Sequence, residues 1–100
     1  MIQLYTSPSC LSCRKVKKYF NKYGIKFIEK NILHTKLSRD DIFKMLANSE
    51  NGFEDIISVR SKVFKENDLD LESMKIHELV EFIIENPTIL KRPIIVTDFD

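Results

Sequence analysis

The sequence predicts an α/β domain, a small sheet with helices covering it, from three observations. A β-rich opening, Ile2 to Thr6, leads into a helical pattern and then a second short β-rich segment. Helical patterns fill the middle of the chain. Ile94 to Thr97 closes the series as a third strand. A strand–helix–strand start implies a parallel pair with a right-handed crossover, and the helices then cover the sheet.

The elements follow in order. Ser7, Pro8 and Ser9 break the first strand, and a helix is expected from about Leu11 to Tyr23. Val16, Tyr19, Phe20 and Tyr23 recur at i, i+3, i+4, i+7, which predicts its buried stripe. Gly24 should stop it, because glycine accepts the left-handed conformation in which helices commonly end. Lys26 to Asn31 reads as the second strand. Ser38 with Asp41 approximates a capping box, with Asp in place of Glu, and Ile42, Met45 and Leu46 give the helix behind it a buried face. Asn51-Gly52 is a turn dipeptide. Glu54 to Asn67 reads as short helices around a loop at Ser58 to Ser61. Ser73 is expected to cap a further helix, with Ile76, Leu79, Val80 and Ile83 as its buried stripe and Pro87 as its stop.

Composition narrows the function. One hundred residues suit one domain. Sixteen basic against 15 acidic residues leave a net charge of +1, which argues against binding nucleic acid by bulk electrostatics and leaves room only for a local basic patch. No apolar run approaches the roughly 20 residues of a membrane helix, and the start MIQLYTSPSC lacks the pattern of a signal peptide. The expected location is the cytoplasm, with no membrane partner.

The chemistry centres on Cys10-Leu11-Ser12-Cys13, between a strand and a helix. In a reducing compartment two cysteines read as a redox or metal pair rather than a structural staple. A cysteine at a helix N-terminus faces backbone N–H groups and the positive end of the helix dipole, which favour a thiolate. Cys13 lies one turn on, close enough to close a disulfide, and Arg14, Lys15, Lys17 and Lys18 add positive charge. The alternatives are a pair of buried hydrophobes or a zinc site. His34 and His77 lack the paired spacing that a four-ligand site needs, so no metal is expected.

Three segments carry a resemblance: YTSPSC-x-x-C-R-K at the start, IISVRSKVFK in the middle and RPII near the end. In order and in register, they resemble the Spx/ArsC family of thiol-sensing transcription regulators and arsenate reductases. The resemblance implies a thioredoxin-like, ArsC-type fold: a small mixed sheet, flanking helices, and a helical insertion at about residues 35–86. It implies that Arg92-Pro93 places a cis proline beside the cysteine pair; on its own Pro93 reads as a proline at the start of a strand. It implies a regulator, not an enzyme, that binds the C-terminal domain of the RNA polymerase α subunit and reaches promoter DNA only through the polymerase, without a cofactor. A Cys10–Cys13 disulfide would tune its activity.

Gly52 and Arg60 match the family's polymerase-binding positions. Glycine lets a partner backbone approach closely, and arginine is frequent at interface hot spots. Alone they read as a turn glycine and a solvated loop arginine. Arg92 would stabilise the Cys10 thiolate or a bound anion, and Lys62 is a weaker candidate for an acidic partner. The alternative function is an arsenate or thiol–disulfide reductase with Cys10 as nucleophile and Arg60 and Arg92 holding an oxyanion. A second cysteine, and a third arginine that would fall past residue 100, depart from the reductase pattern. Family members continue past Asp98-Phe99-Asp100 with another strand, a basic turn and a last helix. The expectation is that the chain is a fragment, dimerises, or is marginally stable with an exposed neighbouring strand; the tail through which a protease adaptor would act would then be absent as well.

Overall fold

The computed structural model describes residues 1–97. The element order is β1 (Ile2–Thr6), α1 (Leu11–Lys22), β2 (Phe27–Asn31), α2 (Arg39–Ala47), α3 (Phe53–Ile56), α4 (Lys62–Glu66), α5 (Ile76–Glu85), a 3-10 turn (Pro87–Ile89) and β3 (Ile94–Val96). The expected loss of a last strand and helix beyond Asp98-Phe99-Asp100 lies outside the described residues. The chain divides into two units, Met1–Thr35 with Arg92–Asp100, and Lys36–Lys91.

The first unit holds the sheet, in strand order β2-β1-β3. β1 runs parallel to β2, with Ile2 opposite Phe27 and Thr6 opposite Asn31, and antiparallel to β3, with Tyr5 opposite Ile94. The sheet is therefore mixed, as the resemblance implies. Leu4, Tyr5 and Thr6 are buried in succession, as a central strand covered on both faces requires. The Thr6 hydroxyl, a buried polar group, donates to Glu29 Oε2 at 2.7 Å. Lys17 Nζ donates to the same oxygen at 3.1 Å, tying α1 to β2. The Thr6 bond, then Lys17, hold the Glu29 carboxyl below the usual range against the cost of burial.

Gly24 ends α1 as expected. Its φ is +66°, the Ile25 N–H donates to Phe20 O at 2.8 Å, and the Gly24 N–H donates to Asn21 O at 3.3 Å. Together these bonds make a complete Schellman motif. The buried stripe differs from expectation. Cys13 and Phe20 are buried and Val16 is half-buried, whereas Tyr19 and Tyr23 are exposed. The physical reason is that Cys13, Val16 and Phe20 form an i, i+3, i+7 set of their own. The two tyrosines instead pair on the solvent side, with ring centroids 4.7 Å apart.

The second unit is helical. The Ser38–Asp41 capping box forms in both directions: the Asp41 N–H donates to Ser38 Oγ at 3.1 Å, and the Ser38 N–H donates to Asp41 Oδ2 at 2.9 Å. Ile42 and Met45 are buried in α2, which packs on α5, where Leu79, Val80 and Ile83 are buried. Ser73 does not cap α5. Its hydroxyl donates to Asp70 O inside a turn, and the helix begins at Ile76 after Lys75, whose N–H donates to Glu78 Oε1 at 3.1 Å. Ile76, at the first helical position, is exposed rather than part of the buried stripe. A short antiparallel bridge, Ile57 with Leu90, closes the unit, supported by Ser58 N–H to Ile89 O and Lys91 N–H to Ile56 O, both at 2.8 Å.

Candidate functional site

The turn after β1 sets the cysteine pair. Ser9 has φ +60°, which swings the chain out of the sheet, and Cys10 returns to extended geometry as the N-cap of α1. An N-cap needs an acceptor for the free N–H groups of the first turn. Here the acceptor is sulfur: the Cys13 N–H donates to Cys10 Sγ at 3.2 Å. The Arg14 N–H donates to Cys10 O at 3.2 Å and starts the helical ladder. Both thiols are free; Cys10 is partly exposed and Cys13 buried. An approaching reagent therefore meets Cys10, with Cys13 behind it.

Burial, first, and then its hydrogen bond with Cys10 push the Cys13 thiol up, and the charge of Cys10 adds to this. A backbone hydrogen bond from Ser7 and the positive charge of Arg92 pull it down by less. The β1–β3 register explains the last two partners. Tyr5 stands opposite Ile94, so two residues beyond that pair the same register runs Ser7 toward Arg92. The Arg92–Pro93 peptide is cis.

A pH dependence follows. A thiol whose folded-state value lies above its unfolded one favours the fold while protonated. That contribution is complete below the ordinary thiol range and is lost as pH rises through the folded value. Thermal melts of the reduced protein from neutral to alkaline pH should show wild type losing stability faster than Cys13→Ala. Parallel loss in both would contradict the assignment.

Gly52 and Arg60 lie in the other unit. Gly52 is the N-cap of α3 with φ +68° and ψ −132°, a region that essentially only glycine occupies at ease. A Cβ there would meet open space, so conformation rather than crowding fixes the residue. The loop before it is clamped by Asp55, which accepts from the Glu50 N–H at 2.9 Å and the Asn51 N–H at 2.8 Å. The Asn51 backbone bond is the main reason that the Asp55 carboxyl lies below its usual range. Arg60 is exposed on the turn between α3 and α4, next to the equally exposed Val59. Among the described residues nothing pairs with its guanidinium. Lys62 forms an i,i+4 ion pair with Glu66 at 3.6 Å.

The structure thus brings Cys10, Cys13, Arg92 and Pro93 into one unit and Gly52 and Arg60 into the other. Sequence reasoning missed Ser7 and Asp55. Ser7 was legible only as a strand breaker, and Asp55 carries no motif; Ser7 acts through its backbone, and the Asp55 carboxylate acts on the backbone N–H groups of the loop before Gly52. Among the described residues no three His, Cys, Asp or Glu side chains gather as a metal site, and no helix is long and apolar enough to cross a membrane.

Comparison with known proteins bears on this arrangement. The sequence model of the ArsC family matches residues 5–99. The chain is 48% identical over 95 residues to the global transcriptional regulator Spx of Streptococcus mutans, covering 95% of this chain and 69% of that protein. It is 45% identical over 96 residues to Spx of Streptococcus pneumoniae, covering 96% and 72%. Among solved structures it resembles an arsenate reductase from Vibrio cholerae, with a TM-score of 0.83, 21% identity, and 97% and 83% of the two chains covered. A possible arsenate reductase from Streptococcus mutans aligns with a TM-score of 0.86 and 19% identity, covering 97% and 83%. At such identities the structural matches establish the fold alone.

Proposed function

The chain belongs to the ArsC family, with Spx global transcriptional regulators as its curated relatives, and on that premise we propose that it is a thiol-responsive regulator acting through the C-terminal domain of the RNA polymerase α subunit. The observation that carries the redox part is the Cys13 N–H on Cys10 Sγ at 3.2 Å, with Cys10 partly exposed and Cys13 buried. A second thiol three residues on, one helical turn behind the first, supports a resolving role for Cys13. In the proposed step the Cys10 and Cys13 thiols lose two protons and two electrons to an oxidant such as a hydroperoxide or a disulfide, and one S–S bond forms. Closing it removes the sulfur cap from the Cys13 N–H and alters the start of α1. In this reading Arg92, whose positive charge acts on Cys13, steadies negative charge at the pair, and Pro93 follows it across a cis peptide bond.

The helical unit is the proposed polymerase-facing part, an insertion in the sense of the family. Gly52 presents backbone without a side chain, and Arg60 offers an unpaired donor fork. Capture of the α C-terminal domain by the reduced protein should weaken by about 30-fold or more in Arg60→Glu, the scale of a hot-spot residue. Capture unaffected by Arg60→Glu, or absent in both redox states, would sink the partner assignment.

A reductase is the second reading, favoured by the positive charge of Arg92 at the cysteine pair. Arsenate turnover with a thiol donor that depends on Cys10 would establish it in place of regulation.

A further inference from the structure

We propose that the Asn51–Gly52 peptide is a modification site: Asn51 deamidates through a cyclic imide, and the Asp55 clamp sets the pace. The step needs no enzyme and no oxidant. The Gly52 backbone nitrogen gives up its proton to hydroxide and attacks Asn51 Cγ. The bond from Cγ to Nδ2 breaks, Nδ2 leaves as ammonia, and a succinimide ring remains. Water then opens the ring at either carbonyl. The product is an aspartate or, more often, a β-linked isoaspartate.

The chain directs this chemistry to one residue. Asn51 is the one asparagine in the sequence that precedes a glycine. Glycine has no Cβ to hinder its own backbone nitrogen. A Cβ built on Gly52 would meet nothing within 4 Å, so no other part of the fold crowds that side of the peptide. Asn51 is exposed, and the water that opens the ring reaches it.

In the folded loop both reacting groups are engaged. Asn51 Nδ2 donates to Asp55 Oδ1 at 3.3 Å, and the Asn51 N–H donates to Asp55 Oδ2 at 2.8 Å. The Gly52 N–H donates to Ser49 Oγ at 3.1 Å. Reaction therefore starts from an opened loop, at a rate scaled by the fraction of time the loop is open. That opening is local, because α3 is only four residues long and the clamp lies at the surface. The isoaspartyl product adds a methylene to the backbone before Gly52. The amides of residues 51 and 52 then no longer meet Asp55 and Ser49 together, and the loop stays open. For partner binding the consequence rests on the polymerase reading of Gly52: on that reading, the reaction is a one-way loss of affinity with age.

The test incubates the full chain in warm, mildly alkaline buffer. Peptide mapping follows the Asn51 peptide as NH is exchanged for O, and labelling by an isoaspartyl methyltransferase follows the β-linked product. The same chain unfolded in urea gives the unclamped rate. Folded wild type should react more slowly by about tenfold or more, the factor of a hydrogen bond to a charged group. Asp55→Ala and Ser49→Ala should each speed the folded reaction, and Asp55→Asn, which keeps an acceptor oxygen without the charge, should fall between wild type and Asp55→Ala. In the modified chain the Glu50 and Gly52 amides should exchange faster with deuterium. Capture of the polymerase α C-terminal domain should fall as the isoaspartyl fraction grows. Fresh Asn51→Asp, with the new charge on an ordinary backbone, should be captured like wild type. An Asn51 that stays unmodified in folded wild type and in both clamp variants while the unfolded chain reacts overturns the proposal. Equal rates in all the folded chains, unchanged amide exchange after modification, or capture unaffected by ageing do so as well. Capture absent even from fresh protein overturns the polymerase reading instead, and the rates and the exchange then decide this one alone.

Discussion

Cys10→Ser should abolish the whole redox response while leaving the fold intact. The substitution separates the two jobs of the Cys10 sulfur. As N-cap, it accepts the Cys13 N–H at 3.2 Å. Serine is a better cap than cysteine, so α1 keeps its first turn and its stability. In the proposed redox step the sulfur cannot be replaced, because a hydroxyl forms no disulfide. Transcription by polymerase carrying the Cys10→Ser protein should be identical in reducing and oxidising conditions, whereas wild type should differ. A redox difference that survives in Cys10→Ser would place the sensing chemistry outside this pair. Cys13→Ala is less clean, since it also removes a side chain that is 1% exposed and leaves a small cavity.

The second large effect is on stability. Ile83→Ala should cost about 2–5 kcal/mol, from lost burial and a residual cavity. The residue is 0% exposed and lies on the buried face of α5, a helix that packs on α2. Against a total stability of about 5–15 kcal/mol, that loss leaves the domain close to unfolding. Urea titration reads it as a fall in the midpoint at unchanged slope. Ile76→Ala is the contrasting substitution on the same helix, at 61% exposure, and should change stability by no more than about 0.5 kcal/mol. Equal effects at the two positions would contradict the packing described for α5.

That contrast also marks what the sequence could convey. Spacing identified α5 and three of its four stripe residues, because Leu79, Val80 and Ile83 recur at helical period. It could not tell that Ile76 lies at the first helical position, outside the packed face. The start of α5 was misplaced because Ser73 looks like a cap, whereas the bond that orders that end comes from Glu78 back to the Lys75 N–H. In α1 the buried stripe was read through Tyr19 and Tyr23, since an aromatic ring scores as apolar whether it meets the core or another ring. Capping chemistry fared better. Ser38 with Asp41, and Gly24 after α1, act through local backbone geometry that depends little on the rest of the fold.

The same division holds at the candidate site. The Cys-x-x-Cys spacing at a strand-to-helix turn carried its chemistry in the sequence. The order of the two cysteines, one partly exposed and one buried, did not, because it arises from the Ser9 turn and the packing around α1. The approach of Arg92 and Ser7 to Cys13 depends on antiparallel pairing between segments almost ninety residues apart, which no local pattern encodes.

Intact-mass spectrometry of the protein after mild peroxide treatment and quenching with a thiol-alkylating reagent tests the Cys10–Cys13 pairing most directly. The expected product is two hydrogens lighter than the reduced chain, carries no alkyl group on either cysteine, and returns to a doubly alkylated form after reduction. A product that gains oxygen at Cys10 while Cys13 still accepts the label would contradict it, as would a chain that takes the label at both cysteines after oxidant.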